Sequence, residues 1–273
     1  QAEDGIRDCL LSRGLGDVYK RQIFQVVPSQ RLSIEFNAHP FLLYETLRRI
    51  NPSPYMYYIK FGDFFIVGSS PETLVKVEKN KVTIKPIAGT RLKEKGKEEE
   101  IKEDLLSDPK ELAEHLMLLD LGRNDVGRVS KVGSINVKES FQIQETSHLY
   151  HIYSTVEGDL NPEEDRVSAL CAGFPAGTVT GAPKIRAMEI INEIEDRKRS
   201  IYSGAIGYFS SSGDMDTAIA LRTAVIKDNK MYVQAGGGVV YDSDEEYEFN
   251  ETLNKAQALF SAAKEVFTKQ EMK

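Results

Sequence analysis

NPSPYMYYIKFGDFFIVGSSPETLVKVEKNKVTIKPIAGTR, Asn51 to Arg91, decides the fold class. Aromatic and β-branched residues crowd this stretch, and turn signals at Gly62 and Lys79-Asn80 punctuate it. The spacing predicts strands at Tyr55–Phe61, Asp63–Gly68, Thr73–Val77 and Val82–Pro86, following one another as an antiparallel meander. Upstream, IFQVVPSQRLSIEF, beginning at Ile23, also reads as strand. Downstream, Glu100 to Leu121 reads as mostly helical, with a start at Asp108-Pro109 and an apolar stripe of Leu112, Leu116 and Leu119. A helix carrying Ile185, Met188, Ile191 and Ile194 on one side comes next. Three strands follow between Tyr202 and Asp244, with turns at Ser211–Asp214 and Asp228-Asn229, and then a closing helix from about Glu245 to Phe267. Runs of strands and runs of helices without regular alternation predict an α+β fold.

The first 22 residues, QAEDGIRDCLLSRGLGDVYKRQ, hold no sustained period and resemble the translated read-through of a sequencing adapter. They are expected to be non-native and poorly packed, and are set aside from fold reasoning.

The 273 residues are 41% hydrophobic, enough for a packed core, and the net charge of -7 argues against nucleic-acid binding. Cys9 and Cys171 lie far apart without CxxC or Cys/His companions, so neither a disulfide framework nor a zinc site is expected, and a reducing cytoplasm fits. No apolar run approaches the ~18 residues of a membrane span.

Several groups carry chemistry. KELAEHLMLLDL holds Glu111 and Glu114, and YEFNETLNK holds Glu248 and Glu251; a spacing of three puts each pair on one helix face. Two such faces meeting would suit a hard divalent cation, although acidic pairs at this spacing are common on surfaces. In TAIALRTAVI, strand alternation sets Ala220, Arg222 and Ala224 on one face, which is either a carboxylate seat floored by a cation or a surface ion pair. Gly236–Gly238 either lets backbone approach a ligand closely or forms a plain loop. FPAGTVTGAPK, Phe174 to Lys184, offers hydroxyls and backbone ahead of a helix, yet lacks the spacing of a phosphate loop. Folding the chain back at Lys79-Asn80 brings Glu72 opposite Ala88, Gly89 and Thr90, where a buried carboxyl could act as a general acid; the alternative is a strand-starting Glu facing water.

PIAGTR, LAEHLMLLDLGRND, SHLYH, FPAGTVTGAPK, YSGAIGY, ALRTA, GGGVVYDSD and YEFNETLNKA occur in this order. Together they resemble the chorismate-binding catalytic domain shared by anthranilate, aminodeoxychorismate, isochorismate and salicylate synthases. The resemblance spans about Ile23 to Ala263, giving a catalytic domain at 23–263 and a tail at 264–273. It implies an α/β sandwich of large antiparallel sheets wrapped by helices. It also implies that Glu114 and Glu251 bind Mg²⁺ directly, with Glu111 and Glu248 behind them through water. Thr178, the Gly181 turn, Gly89 and Thr90 would hold chorismate. Tyr202, Arg222 and the Gly237-Gly238 backbone would grip the enolpyruvyl carboxylate, and Lys255 would lie beside the metal-bound one. Glu72 would protonate the departing hydroxyl, and His151 matches the family's active-site histidine; outside the family, an isolated His there reads as structural.

Two positions discriminate within the family. Where isochorismate and salicylate synthases carry a water-activating lysine stands Gln25, which cannot act as a base near pH 7, and where aminodeoxychorismate synthases carry a nucleophilic lysine stands Ala88. An external nucleophile, ammonia from a glutamine amidotransferase subunit, therefore fits, and anthranilate would be the product. A chain that binds chorismate or a partner without turnover is the other expectation, because family members carry an additional N-terminal domain. NPSPYM resembles the segment forming one wall of the family's tryptophan inhibitor site, through Pro54, Tyr55 and Met56; otherwise it is a strand-entry turn. With one wall only, this chain is expected not to bind tryptophan.

Overall fold

The computed structural model describes residues 23–145 and 149–271. The expectations for residues 1–22, and for Ser147 and His148 of SHLYH, lie outside the described residues. Strands β1 (Gln25–Val26) and β2 (Ser29–Glu35) are parted by Pro28, and helix α1 (Pro40–Ile50) follows. Next come β3 (Tyr55–Phe61), β4 (Phe64–Ser70), β5 (Thr73–Glu78), β6 (Lys81–Ile84) and β7 (Ile87–Leu92). Helices α2 (Glu98–Ser107) and α3 (Pro109–Gly127) lead into β8 (Asn136–Glu145) and β9 (Leu149–Asp159). Then follow α4 (Arg166–Gly173), β10 (Gly181–Ala182), α5 (Lys184–Ile194), β11 (Ala205–Phe209) and β12 (Met215–Ile219). Last are β13 (Thr223–Lys227), β14 (Lys230–Gly236) and α6 (Glu245–Glu271), the helix running past its expected end at Phe267.

The described residues divide into two compact units. One holds the chain up to Pro71, Val179–Gly204 and the chain from Ile219; the other holds Glu72–Thr178 and Ala205–Ala218. The first unit is built on a five-stranded antiparallel sheet of order β2-β14-β13-β4-β3. Its core gathers Phe36, Leu43, Leu47, Val67, Met231 and Leu259, contributed by the sheet, α1 and α6. The two-residue strands β1 and β10 pair separately, Gln25 with Ala182 and Val26 with Gly181. The second unit is a seven-stranded antiparallel sheet of order β11-β12-β5-β6-β9-β7, with β8 also on β9. Here β6 and β7 succeed one another along β9, Ile84 opposite Val156 and Ile87 opposite Tyr153. Leu105, Tyr150 and Ile152 form a buried cluster between α2 and this sheet.

Local chemistry explains the sharpest boundaries. Lys79 and Asn80 (φ 51° and 59°) and Asp228 and Asn229 (φ 50° and 57°) close two-residue hairpins between Glu78 and Lys81 and between Lys227 and Lys230. Positive φ at both central residues matches the twist of the flanking strands, and Asn and Asp tolerate it. Helix α3 starts where expected: the Asp108 carboxylate accepts from Lys110 and Glu111 N–H, with Pro109 in the first turn.

The structure corrects four expectations. The meander is not one sheet: β3 and β4 join the five-stranded sheet, whereas β5 and β6 join the seven-stranded one. TAIALRTAVI is likewise two strands of two sheets, β12 and β13, so Ala220, Leu221 and Arg222 are a link and the alternation that placed Arg222 does not apply. On α3, Leu116 is 56% exposed, and the buried face is His115, Leu118, Leu119, Gly122, Asp125 and Val126. A polar residue in that face hid it from a count of leucines. On α5, Ile185 is 71% exposed, and Ala187 and Ile191 make the inward contact.

Candidate functional site

In the first unit, the candidate residues gather around β1. Val26 N–H donates to Val239 O (3.0 Å) and Val239 N–H to Val26 O (2.8 Å), while Gly181 pairs with Val26 on the other edge. The short strand is thus held between FPAGTVTGAPK and the triple glycine. Gly181 lies in β10 at φ 127°, and a Cβ there would overlap Gln25 O, so only glycine permits this approach. The Gly181 turn expected from the resemblance is thus strand, and the helix ahead of which it lies begins only at Lys184.

The buried Gln25 side chain lies against Gly238, where a Cβ would stand 2.5 Å from Gln25 Nε2. At Gly236 a Cβ would stand 2.7 Å from the Tyr202 hydroxyl. Tyr202 is hydrogen-bonded to the Gly236 backbone, and burial pushes its phenol up to about 12. At Gly237 the Cβ position is 3.3 Å from Glu251 Oε2 and 3.4 Å from Glu248 Oε2. Two carboxylates three residues apart on α6 therefore converge on a space that only glycine leaves open. Lys255 Nζ stands 3.0 Å from Glu251 Oε2 and donates to Gly236 O (3.1 Å), while Ser243 donates to Glu248 Oε1 (2.8 Å). Hard oxygens beside open backbone fit a divalent cation that keeps waters and a substrate oxygen in its shell. Among the described residues no group of three or more His, Cys, Asp or Glu forms a ready metal cluster.

Arg222 stands at the β12–β13 link with φ 46°, half-buried between the buried Ala220 and Ala224. Pro54 directly precedes β3, and Tyr55 and Met56 open it, Tyr55 opposite Ser70 and Met56 opposite Ser69.

In the second unit, His151 on β9 pairs with Thr90 on β7. His151 Nδ1 lies 3.1 Å from Gly89 O and 3.2 Å from Thr90 Oγ1. A carbonyl only accepts, so Nδ1 carries a proton; in the singly protonated ring Nε2 is then the acceptor nitrogen. Gly89 aims that carbonyl from a bulge between Ala88 and Thr90, at φ 72°. A Cβ on Gly89 would stand 3.1 Å from Glu111 Oε2. Glu72 is buried at 9% exposure, which overturns the water-facing alternative. Its neighbours in the β5–β6 ladder stop at Lys76 opposite Thr83, so strand pairing does not extend to Glu72 itself. Thr178 sits in a single 3₁₀ turn, Gly177–Val179, whose Gly177 lies against Leu118 and Leu121 of α3. Its hydroxyl is buried without a hydrogen-bond partner, the condition of a group that a ligand would satisfy. Glu114 is half-buried on α3.

The chorismate binding enzyme profile matches residues 12–261. The chain belongs to the chorismate-binding enzyme family. It is 58% identical over 245 residues to anthranilate synthase component 1 of Cereibacter sphaeroides, covering 89% of this chain and 49% of that protein. Against the component 1 of Neisseria meningitidis serogroup B, identity is 55% over 251 residues, covering 91% and 51%. The crystal structure of anthranilate synthase component I from Streptococcus pneumoniae superposes with a TM-score of 0.86 at 47% identity, covering 94% of this chain and 56% of that one. The chain thus spans about half the length of the curated relatives it matches.

Two features of this chorismate-binding enzyme escaped the sequence reading. Arg91 binds Asp104 (2.7 Å), Asp108 (2.6 Å) and Glu111 (2.9 Å), fastening β7 to α2 and α3. Its place directly after Gly89-Thr90, facing an acidic helix start, was the available signal. His115 is fully buried 2.7 Å from Ser154 Oγ, and burial holds its imidazole down at about 4. Nothing in the sequence separates such a histidine from a surface one. No helix among the described residues is long and apolar enough to cross a membrane.

Proposed function

We propose that this chorismate-binding enzyme converts chorismate and ammonia to anthranilate and pyruvate, with ammonia supplied by a glutamine amidotransferase subunit, at the entry to tryptophan biosynthesis. The observation that carries the reading is the nature of Gln25. A primary amide lies buried against Gly238, and the resemblance implies that this is where the water-adding members of the family carry a lysine. Ala88 likewise offers no nucleophile. The nucleophile then comes from outside the chain, and the high identity to two anthranilate synthase components supports ammonia.

Glu251 with Glu248, and Glu114 with Glu111, are the carboxylates proposed for Mg²⁺. When bound, Mg²⁺ supplies Lewis-acid polarisation of the ring carboxylate. Glu72 gives its proton to the departing hydroxyl, which leaves as water while ammonia forms the new C–N bond. Removal of a ring proton then breaks the enolpyruvyl C–O bond and leaves the aromatic ring, and the expelled enolpyruvate takes up a proton to become pyruvate; His151 Nε2, the acceptor nitrogen when Nδ1–H is bonded to Gly89 O, suits the ring proton. Arg222 and Tyr202, with the Gly237 and Gly238 backbone, hold the enolpyruvyl carboxylate. Gly89, Thr90, Thr178 and Gly181 contact the rest of chorismate, and Lys255 balances charge beside the ring carboxylate. Pro54, Tyr55 and Met56 form one apolar wall of a tryptophan half-site, which by itself leaves the amino acid's ammonium and carboxylate without partners.

The test is fluorescence detection of anthranilate from chorismate with Mg²⁺ and an ammonium salt, which needs no partner subunit. Anthranilate is the expected product. Isochorismate or salicylate overturns the assignment, and Mg²⁺-dependent chorismate binding without product supports a binding role alone.

A further inference from the structure

Tyr57, Gly68 and Thr223 lie in one row across three neighbouring strands of the five-stranded sheet. Tyr57 on β3 pairs with Gly68 on β4, and Gly68 pairs with Thr223 on β13. Any Cβ at Gly68 would overlap the Tyr57 ring. The missing side chain in the middle strand lets the phenol pass over it and reach Thr223 Oγ1 at 2.6 Å. Thr223 Oγ1 in turn donates to Leu221 O at 2.7 Å. A hydroxyl has one proton, so the Thr223 proton is committed to Leu221 and the phenol is the donor of the first bond. The direction is Tyr57 O–H to Thr223 Oγ1, and Thr223 O–H to Leu221 O.

This relay ends one residue short of Arg222. Arg222 is held at φ 46°, a conformation that costs a residue with a Cβ on the order of 1 kcal/mol or more and persists only where the surroundings impose it. Two bonds flank the kink: Thr223 holds the carbonyl before it, and Ser69 N–H, the residue after Gly68, donates to Arg222 O at 3.1 Å. We infer that Tyr57 and Thr223 are positioning residues that set the backbone of Arg222, and so the aim of its guanidinium toward a carboxylate of the substrate. Burial pushes the Tyr57 phenol up to about 12, so it remains a donor throughout the physiological range.

The inference rests on Arg222 binding substrate, and its test separates the two claims. Steady-state kinetics of anthranilate formation would be measured for Thr223→Val, Thr223→Ser and Tyr57→Phe, each alone and combined with Arg222→Lys. In parallel, hydrogen–deuterium exchange would be followed over residues 220–224. Loss of one buried hydrogen bond is expected to raise the chorismate KM about ten-fold in Thr223→Val and Tyr57→Phe, with kcat within about two-fold and a lowered melting temperature that Thr223→Ser recovers. Thr223→Ser keeps the hydroxyl and is expected to restore the wild-type KM. On Arg222→Lys, which already loses the fork, neither change adds to KM. Exchange over 220–224 quickens in the Val and Phe variants and not in the Ser variant. Wild-type KM and exchange in both hydroxyl-deleted variants overturn the inference, as does an undiminished KM effect on top of Arg222→Lys. Should Thr223→Val not fold, Tyr57→Phe, whose ring still fills the space over Gly68, decides by itself. Should the wild-type chain convert no chorismate, the proposed reaction fails, and the exchange result alone supports or overturns the positioning role.

Discussion

Lys255 reaches one turn back along α6 to Glu251 Oε2 at 3.0 Å and at the same time donates to Gly236 O, so one ammonium joins the proposed metal carboxylate to the triple-glycine segment. Both side chains are more than a third exposed, and pairs of this kind contribute about 0.2–1 kcal/mol. Glu251→Gln is therefore expected to cost less than about 1 kcal/mol in stability. Its Mg²⁺-dependent turnover is expected to vanish. A magnesium titration of activity beside a thermal melt checks both halves, and retained activity removes Glu251 from the metal site.

Arg199 and Glu195 form the opposite kind of pair, 14% and 8% exposed. The guanidinium donates to Glu195 Oε1 (2.6 Å), Val27 O (2.6 Å) and Val179 O (2.6 Å), and Glu195 Oε1 also accepts from Ser29 N–H (2.9 Å). Removing one partner leaves the other charge buried and uncompensated, which costs about 3–5 kcal/mol. Glu195→Ala is expected to lower the unfolding free energy in water by that amount, read as a lower urea midpoint at an unchanged slope. A loss under 1 kcal/mol would show that water replaces the carboxylate.

Gly89→Ala tests the bulge that orients His151. At φ 72° an alanine is strained, and its Cβ would press on Glu111 Oε2 at 3.1 Å. The expected cost is about 1–2 kcal/mol. Turnover is expected to fall further than stability, because relaxing the strain turns the Gly89 carbonyl away from Nδ1. Chemical denaturation and kinetics on the same sample separate the two effects.

Tyr57 and Tyr202 give a prediction in alkali, since burial raises both phenols to about 12. In the unfolded chain a tyrosine loses its proton near 10. Below pH 10 both states keep the proton and these groups leave stability unchanged. Between 10 and 12 the unfolded state binds fewer protons than the folded one, so stability falls as pH rises. Tyr57→Phe is expected to flatten part of that decline. Ultraviolet titration showing every tyrosine ionised near 10 in the folded protein would contradict it.

The hairpin ends and the start of α3 were legible because they are local. Lys79-Asn80, Asp228-Asn229 and Asp108-Pro109 settle their backbones through φ preferences and caps within a few residues. The paired carboxylates on α6 were legible for the same reason, since helical spacing alone puts Glu248 and Glu251 on one face. The glycines, too, marked where backbone needed room, at Gly89, Gly181 and Gly236–Gly238.

Which sheet each strand joins was not local, and the sequence pattern misled there. TAIALRTAVI alternates without interruption, yet β12 pairs with β5 and β13 with β4. An alternating run states that a strand has two faces; it does not state which ladder satisfies its backbone, because that depends on partners more than a hundred residues away. The same distance hid the seat of Arg222. Its alanine neighbours were visible in the chain, whereas the kink that aims it is imposed by Tyr57 reaching across Gly68 to Thr223. Amino-acid order determined the turns, the caps, the family and the inventory of chemical groups. Only tertiary structure decided which of those groups share a point in space, since hydrogen bonds across a sheet are chosen by the packing of the whole layer.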